Sequence, residues 1–223
     1  CFVSAVNKYL QKNPTIEGSI SFLITGDEEG IAVNGTQKVV EYLKRKKEKI
    51  DFCIVGEPTN PKKLGEMIKI GRRGSLSGKI KIFGVQGHVA YPHLSNNPLN
   101  TLISICSELK NTFLDRGNKN FQPSNLEFTS IFVDNKVLNV IPAKAEAQFN
   151  IRYNNIHTSK SLKKKINKVI KNICKKNKCS YKVEYQTSGD AFITKPEKTI
   201  IMARKIIKKI TKINPKFSTT GGT

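Results

Sequence analysis

The chain has 223 residues, enough for one large or two modest domains, and it carries a formal net charge of +22. It has no apolar run of membrane-spanning length, and its start, Cys1-Phe2-Val3, lacks the basic region and cleavage site of a signal peptide. Five cysteines without a Cys-x-x-Cys pair argue against a zinc ribbon or a disulfide framework and favour the reducing cytoplasm. We expect Cys53 and Cys106 to be small core residues. We also expect the sequence to be truncated at both ends.

The first 74 residues alternate helices and strands, which is an α/β layer pattern. Helical periodicity covers residues 1–13, and a second helix is expected from a cap at Asn34 to about Lys47, with its buried side formed by Val39, Val40 and Leu43. Apolar runs of strand type occupy residues 18–25, 51–55 and 67–70.

From Ser75 the pattern changes to strand, helix, strand, strand, helix, strand, which makes a four-stranded sheet with two helices on one face. The predicted segments are 76–83, 98–113, 126–133, 145–153, 159–176 and 180–185. A further helix over 197–211 returns to the first sheet. We therefore predict an α/β catalytic domain over 1–74 and 188–223, with a mixed sheet, interrupted by an inserted α+β ferredoxin-like domain over 75–187.

The lysines concentrate on two helical segments, residues 160–178 and 195–216. In the first segment Leu162, Ile166 and Ile170 keep helical spacing, so the lysines form the opposite, solvated face. Nucleic-acid readers favour arginine and interleaved aromatics, whereas this chain has six arginines and no tryptophan. We favour solvated faces over a nucleic-acid surface, and we predict neither a nucleic-acid nor a membrane partner; a positive field suits an anionic small substrate.

Two acidic turns follow predicted strands. Glu28 and Glu29 come directly after the strand over 18–25, and Glu57 follows the strand over 51–55. Carboxyl ends of strands in open α/β sheets are where sites form, and paired carboxylates can divide metal binding from proton transfer. Taken alone, the first turn is more typical of a solvated turn or of a helix cap at Asn34 than of a metal site.

Six motifs follow one another along the chain: Thr-Gly-Asp-Glu-Glu-Gly (25–30), Val-Gly-Glu-Pro (55–58), Gly-Arg-Arg-Gly-Ser (71–75), Gly-Val-Gln-Gly-His-Val-Ala-Tyr-Pro-His (84–93), Asn-Val-Ile-Pro-Ala (139–143) and Thr-Gly-Gly-Thr (220–223). In this order they resemble the succinyl-diaminopimelate desuccinylase family, within the di-zinc aminoacylase and carboxypeptidase superfamily. The resemblance implies a hydrolase that converts N-succinyl-L,L-2,6-diaminopimelate and water into succinate and L,L-2,6-diaminopimelate, on the route to lysine and cell-wall diaminopimelate.

The resemblance also implies roles for the three carboxylates. Glu28 would be the general base and acid, while Glu29 and Glu57 would be ligands of two zinc ions, for which Co²⁺ can substitute. The family's remaining ligands would lie outside this chain. We therefore expect the 223-residue piece alone to bind zinc poorly and to be inactive.

Further roles follow from the same resemblance. The inserted domain would form a homodimer, with His88 reaching the partner's site to hydrogen-bond the oxyanion. Arg72 would clamp a substrate carboxylate, Asn139 would hydrogen-bond the substrate, and Gly222 and Thr223 would line the site.

Without the resemblance these residues have plainer interpretations: His88 as a loop histidine, Arg72 as half of a surface ion pair, Asn139 as a turn residue, Gly222 and Thr223 as a flexible end. We interpret His157 as a surface residue. Two alternative functions stay open: an acetylornithine deacetylase-like amidohydrolase of the same superfamily, and a non-catalytic, lysine-rich nucleic-acid-binding homologue.

Overall fold

The computed structural model describes residues 1–26 and 32–220. The chain divides into two compact units, Cys1–Gly56 and Glu57–Thr223. Within the described residues no helix combines the length and hydropathy needed to cross a membrane. All five cysteines are free.

Outside residues 27–31, the first unit contains two helices, α1 (Phe2–Lys12) and α2 (Thr36–Arg45). The predicted cap at Asn34 was wrong, because Gly35 holds the N-cap position and the Asn34 side chain accepts a hydrogen bond from Lys38 Nζ. As predicted, the least exposed residues of α2 are Val39, Val40 and Leu43.

Residues 18–25 and 51–55 were predicted as strands, and the structure assigns neither as one. Ile24 and Val55 remain 88% and 73% exposed. A strand is defined by the neighbour with which it pairs, and a buried strand needs cover on both faces. Neither segment has a strand partner within the described residues, so their apolar side chains stay open to solvent. Cys53 is exposed for the same reason, which corrects its predicted place in a core.

The second unit contains three helices and ten strands in its described part. In chain order these are β1 (Met67–Lys69), β2 (Gly71–Arg72), β3 (Gly74–Phe83), β4 (Gly87–His88), α3 (Pro98–Asn111), β5 (Asn125–Phe132), β6 (Val140–Ile141), β7 (Lys144–Tyr153), α4 (Ser159–Lys176), β8 (Ser180–Gly189), β9 (Phe192–Ile193), α5 (Lys198–Thr211) and β10 (Lys216–Ser218). A 3₁₀ turn over Pro92–Leu94 separates β4 from α3.

The centre of this unit is a four-stranded antiparallel sheet in the order β5-β7-β3-β8. The helices α3 and α4 pack together and against the sheet, and the interface is its hydrophobic core. Fully buried residues come from the sheet (Leu76, Ile80, Phe149, Ile151), from α3 (Leu102, Ile105) and from α4 (Leu162, Ile170). The predicted β-α-β-β-α-β order is confirmed, because period-2 and helical apolar patterns supply complementary faces here.

Helix α4 illustrates how its sequence fixes its orientation. Thr158 and Ser161 form a capping box at its start. Its predicted apolar stripe is buried, which leaves most of its lysines on the solvent side. The helical interpretation of the lysine-rich segment is therefore confirmed.

Two short strand pairs lie on either side of the central sheet in sequence. β2 pairs with β9 antiparallel, and β1 pairs with β10 parallel after the chain has passed through α5. A parallel pair joined through a helix is the α/β pattern predicted for the flanking segments. The predicted domain limits at residues 74 and 187 stay predictions.

Candidate active site

The candidate site residues fall into two groups. Those within the described residues are Glu57, Arg72, His88 and Asn139. Those outside the described residues are Glu28, Glu29, Gly222 and Thr223. The described part of the candidate site therefore belongs to the second unit.

His88 and Asn139 are separated by 51 residues in sequence and are brought together by the pairing of β4 with β6. His88 lies opposite Val140 in this pairing, and the backbone N–H of Val89 donates to the carbonyl of Asn139 at 3.0 Å. The Asn139 side-chain nitrogen lies 3.5 Å from Nε2 of His88. Both residues are exposed, so the pair can meet a ligand.

The hydrogen bonds around His88 determine which ring nitrogen carries the proton. The backbone N–H of Ala90 donates to Nδ1 of His88 at 3.1 Å, so the neutral ring carries its proton on Nε2. An Nε2–H group is a donor, so it faces the side-chain oxygen of Asn139 when the oxygen and nitrogen of that amide are exchanged. His88 thus carries its donor beside Asn139, on an exposed part of the β4–β6 pair.

Packing explains the two glycines of the segment that carries His88. A Cβ atom on Gly84 would lie 2.0 Å from the carbonyl oxygen of Asn96, and one on Gly87 would lie 2.6 Å from Cβ of Ser95. Both positions need the absence of a side chain because the chain folds back closely on itself. These glycines set the path that places His88 beside Asn139.

The two glycines of the Gly-Arg-Arg-Gly motif also lie too close to their neighbours to carry a side chain. A Cβ on Gly71 would lie 2.3 Å from the carbonyl of Phe192, and one on Gly74 would lie 2.3 Å from the Tyr153 ring. The two arginines differ in environment. Arg73 donates to the Asn125 side chain at 3.1 Å, and burial together with neighbouring Arg152 lowers its pKa.

Arg72 is exposed on β2, beside Gly189. No ion pair to Arg72 is found within residues 1–26 and 32–220, so the alternative of a surface ion pair gains no support there. An exposed planar guanidinium suits bidentate binding of a carboxylate.

The described residues do not by themselves make a metal site. Glu57 is exposed, and the described part of the chain holds no group of three or more histidines, cysteines or carboxylates that could bind an ion. Zinc needs about four donors, and a carboxylate oxygen is one of the accepted kinds. Glu57 therefore fits zinc in chemistry and needs partners from elsewhere.

Two polar groups escaped the sequence reasoning. Asn135 accepts from the backbone N–H of Val137 at 3.2 Å and donates to the carbonyl of Val140 at 2.8 Å, so it shapes the turn that presents Asn139. An asparagine between two apolar runs was the available signal. His157, predicted as a surface residue, is instead partly buried, with Nε2 3.2 Å from the Asp115 carboxylate, because the loop after α3 covers it.

Comparison with known families defines the class of protein. Residues 70–178 match the family model described as a peptidase dimerisation domain, M20_dimer. The solved aminopeptidase PepT from Bacillus cereus shares the fold, with a TM-score of 0.72 and 14% identity over 97% of this chain and 54% of that one. The chain thus shares its fold with this aminopeptidase, and residues 70–178 are similar to a peptidase dimerisation domain.

Curated relatives narrow the class. One, named succinyl-diaminopimelate desuccinylase, from Pelagibacter ubique, is 63% identical over 222 residues, which span all of this chain and 58% of that protein. Another of that name, from Rickettsia bellii, is 49% identical over all of this chain and 57% of its own length. The chain is therefore similar along its whole length to proteins named succinyl-diaminopimelate desuccinylase, and it spans about 58% of the length of those relatives.

Proposed function

We propose that the whole protein hydrolyses N-succinyl-L,L-2,6-diaminopimelate to succinate and L,L-2,6-diaminopimelate, in the cytoplasm, as a step of lysine and diaminopimelate synthesis. The observation that carries this proposal is the 63% identity, over the whole of this chain, to a relative named succinyl-diaminopimelate desuccinylase. The catalytic parts are proposed as residues 1–74 and 188–223, and the inserted domain as residues 75–187.

Glu28 is the proposed general base and acid. It takes a proton from the attacking water, whose oxygen bonds to the succinyl carbonyl carbon, and returns a proton to the nitrogen as the amide C–N bond breaks. Arg72 holds a substrate carboxylate, and Asn139, Gly222 and Thr223 position the rest. His88, as an Nε2–H donor, stabilises the oxyanion.

Two zinc ions, with Co²⁺ as a substitute, are part of the proposal. Glu29 and Glu57 would hold them together with ligands that this chain does not supply. When bound, the metal supplies Lewis acidity and lowers the pKa of water. Glu28 and Glu29 are adjacent in sequence, and the proposal gives proton transfer to the first and metal binding to the second.

The length of the central sheet supports a role for His88 in a partner's site. Arg72 precedes the start of β3, and His88 follows its end. Ten residues of strand separate them, which is about 30 Å. One small substrate does not span that distance, so an Arg72 and a His88 that contact the same molecule must come from two copies.

The two edges of the sheet differ in their suitability for self-association. On the β5 edge, Ile131 and Phe132 are 60% and 56% exposed. Ile103 of α3 is 61% exposed on the side facing β5, since Lys110, seven residues further along the helix, binds Glu127 of that strand. The other edge, β8, lies beside the lysines of α4. Two copies would repel through β8, so we assign the dimer interface to the β5 edge.

Activity tests the proposed reaction. The full-length protein is assayed for amine release from N-succinyl-L,L-diaminopimelate and from N-acetylornithine, with and without zinc. Zinc-dependent turnover of the succinyl substrate, lost in Glu28→Gln, is expected. Turnover of N-acetylornithine alone would refute the proposed substrate. If the zinc-bound protein turns over neither compound, the proposed reaction is refuted.

Sedimentation tests the dimer. Ile131→Glu is expected to convert the dimer to a monomer, while Tyr181→Glu, at an apolar side chain on the opposite edge, leaves it intact. The reverse result would move the interface to β8. Equal effects of both variants would argue against a defined edge.

Mixing inactive variants tests His88 across the interface. Homodimers of His88→Ala and Glu28→Gln are unfolded together and refolded. A shared site gives each hybrid dimer one intact site, so random pairing restores about a quarter of wild-type activity. No recovery despite hybrid formation would place His88 in its own subunit's site.

A further inference from the structure

The loop over residues 115–124, between α3 and β5, folds around one carboxylate. Oδ1 of Asp115 accepts hydrogen bonds from the backbone N–H groups of Gly117 at 2.7 Å and Ser124 at 3.2 Å, and from Nδ2 of Asn154 at 2.6 Å. Burial acts to raise the pKa of Asp115, but these hydrogen bonds outweigh it and lower the pKa. The loop is therefore organised from within by an ionised, 6% exposed side chain.

Asn154, just after β7, fixes this loop to the sheet. It is fully buried, its backbone N–H donates to Oγ of Ser124 at 3.0 Å, and its side chain also donates to the carbonyl of Gln122 at 3.3 Å. His157 completes the cluster from the other side, 3.2 Å from Asp115. The loop thus has a rigid base.

The tip of the same loop holds the segment after β10. The hydroxyl of Thr219, a residue only 5% exposed, donates to the carbonyl of Asn120. The backbone N–H of Asn120 donates in turn to Oδ1 of Asn118 at 3.0 Å, so the carbonyl is held in place. The loop that Asp115 organises therefore binds Thr219, which lies 99 residues after Asn120 in the chain.

We propose that the 115–124 loop positions the substrate-binding end of this chain, with Thr219 as its contact and positioning residue. The proposal rests on the proposed function, in which Gly222 and Thr223 line the site. Thr223 follows Thr219 by four residues in sequence, so the contact at Thr219 anchors the segment that leads to it. The inserted domain then sets how well the catalytic part binds its substrate.

Paired threonine variants of the full-length enzyme test this role. Thr219→Val removes the hydroxyl and keeps the shape, Thr219→Ser keeps the hydroxyl, and Thr112→Val removes a hydroxyl that donates to Glu108 within its own helix end at 2.8 Å. We expect Thr219→Val to raise KM roughly fivefold, the change that one neutral hydrogen bond produces. The kcat value should change less than about twofold. Thr219→Ser and Thr112→Val should match wild type.

A purely structural role would give a different pattern. An unchanged KM in Thr219→Val, with or without a lower melting temperature, would overturn the proposal. So would an equal KM rise in Thr219→Ser, because the hydroxyl would then not be the cause.

Hydrogen exchange separates this proposal from the proposed reaction. In Thr219→Val, the amides of residues 216–220 should exchange faster than in wild type, while those of the core strand β3 are unchanged. If wild-type enzyme does not turn over the succinyl substrate, the proposed function fails, and exchange alone decides whether the loop orders this segment. Unchanged exchange at residues 216–220 would overturn the inference.

Discussion

Tyr153→Phe removes one hydroxyl from the junction between the inserted domain and the chain that follows it. Tyr153 ends β7, its ring is fully buried, and its hydroxyl donates to Oδ1 of Asp190 at 2.6 Å. The same carboxylate oxygen accepts from the backbone N–H of Ser159 at 2.9 Å, at the start of α4. One carboxylate thus joins the end of a central strand to a helix and to the exit of the domain.

The expected loss follows from the charge of the acceptor. Hydrogen bonds to charged groups contribute about 1.5–3 kcal/mol. Asp190 is otherwise exposed, and water replaces part of the interaction, so we take the lower end, about 1.5 kcal/mol. Tyr185→Phe is the matched control, because its hydroxyl donates at 2.8 Å to the neutral side chain of Asn167 near the surface. That variant should lose about 0.5 kcal/mol.

The two losses should also depend differently on pH. The bond from Tyr153, followed by the one from Ser159, lowers the pKa of Asp190. A lowered carboxyl pKa gives stability that is present above the unfolded value of about 3.9 and is lost as pH falls through the folded value. The cost of Tyr153→Phe should therefore be greatest at neutral pH and shrink below about pH 4, whereas that of Tyr185→Phe should stay constant.

Urea unfolding followed by circular dichroism, at pH 7 and pH 3, measures both effects in the 223-residue chain. Each variant is compared with wild type at the same pH, so the contribution of all other carboxylates to the free energy of unfolding cancels. Equal losses for the two variants at pH 7, or a loss in Tyr153→Phe that is the same at both pH values, would refute the role given to Asp190.

Two further predictions concern the central sheet and helix α4, which packs against it. Ion pairs with Lys144 at 2.8 Å and Lys79 at 2.6 Å hold the pKa of Glu146 at about 2. Stability that depends on Glu146 is present above about pH 4.5 and is lost toward pH 2, so Glu146→Gln should weaken the acid dependence of wild-type urea midpoints; an unaltered dependence would contradict this. Ile170→Ala, at a fully buried site, should cost about 2–4 kcal/mol in the same assay, and exposed Lys171→Ala less than about 0.5. Similar costs for both would contradict the packing of α4.

Much of the second unit was predictable from the sequence because its elements bury faces that their own periodicity defines. The stripe of Leu162, Ile166 and Ile170 identified both the helix and its inner side. The segments over 18–25 and 51–55 were not predictable in this way. An all-apolar run indicates burial on both faces, but burial depends on neighbours, and these segments have no strand partner in the described residues.

The candidate site shows the same division. Motif resemblance predicts roles for His88 and Asn139, but their contact depends on the pairing of β4 with β6, which are far apart in sequence and which no local pattern reports. The Gly-Arg-Arg-Gly motif looked uniform in sequence. Only tertiary packing separates Arg73, which binds Asn125, from exposed Arg72.

The central sheet has different tasks at its two ends. One end holds the start of β3 and the ends of β7 and β8, and there Tyr153, Asp190 and the 115–124 loop tie the domain to the chain that follows it. The opposite end leads through β4 and β6 to His88 and Asn139. β3 pairs with β7 over ten residues without a register shift. A regular ladder of that length therefore connects the tied end to the strand end that leads to His88 and Asn139.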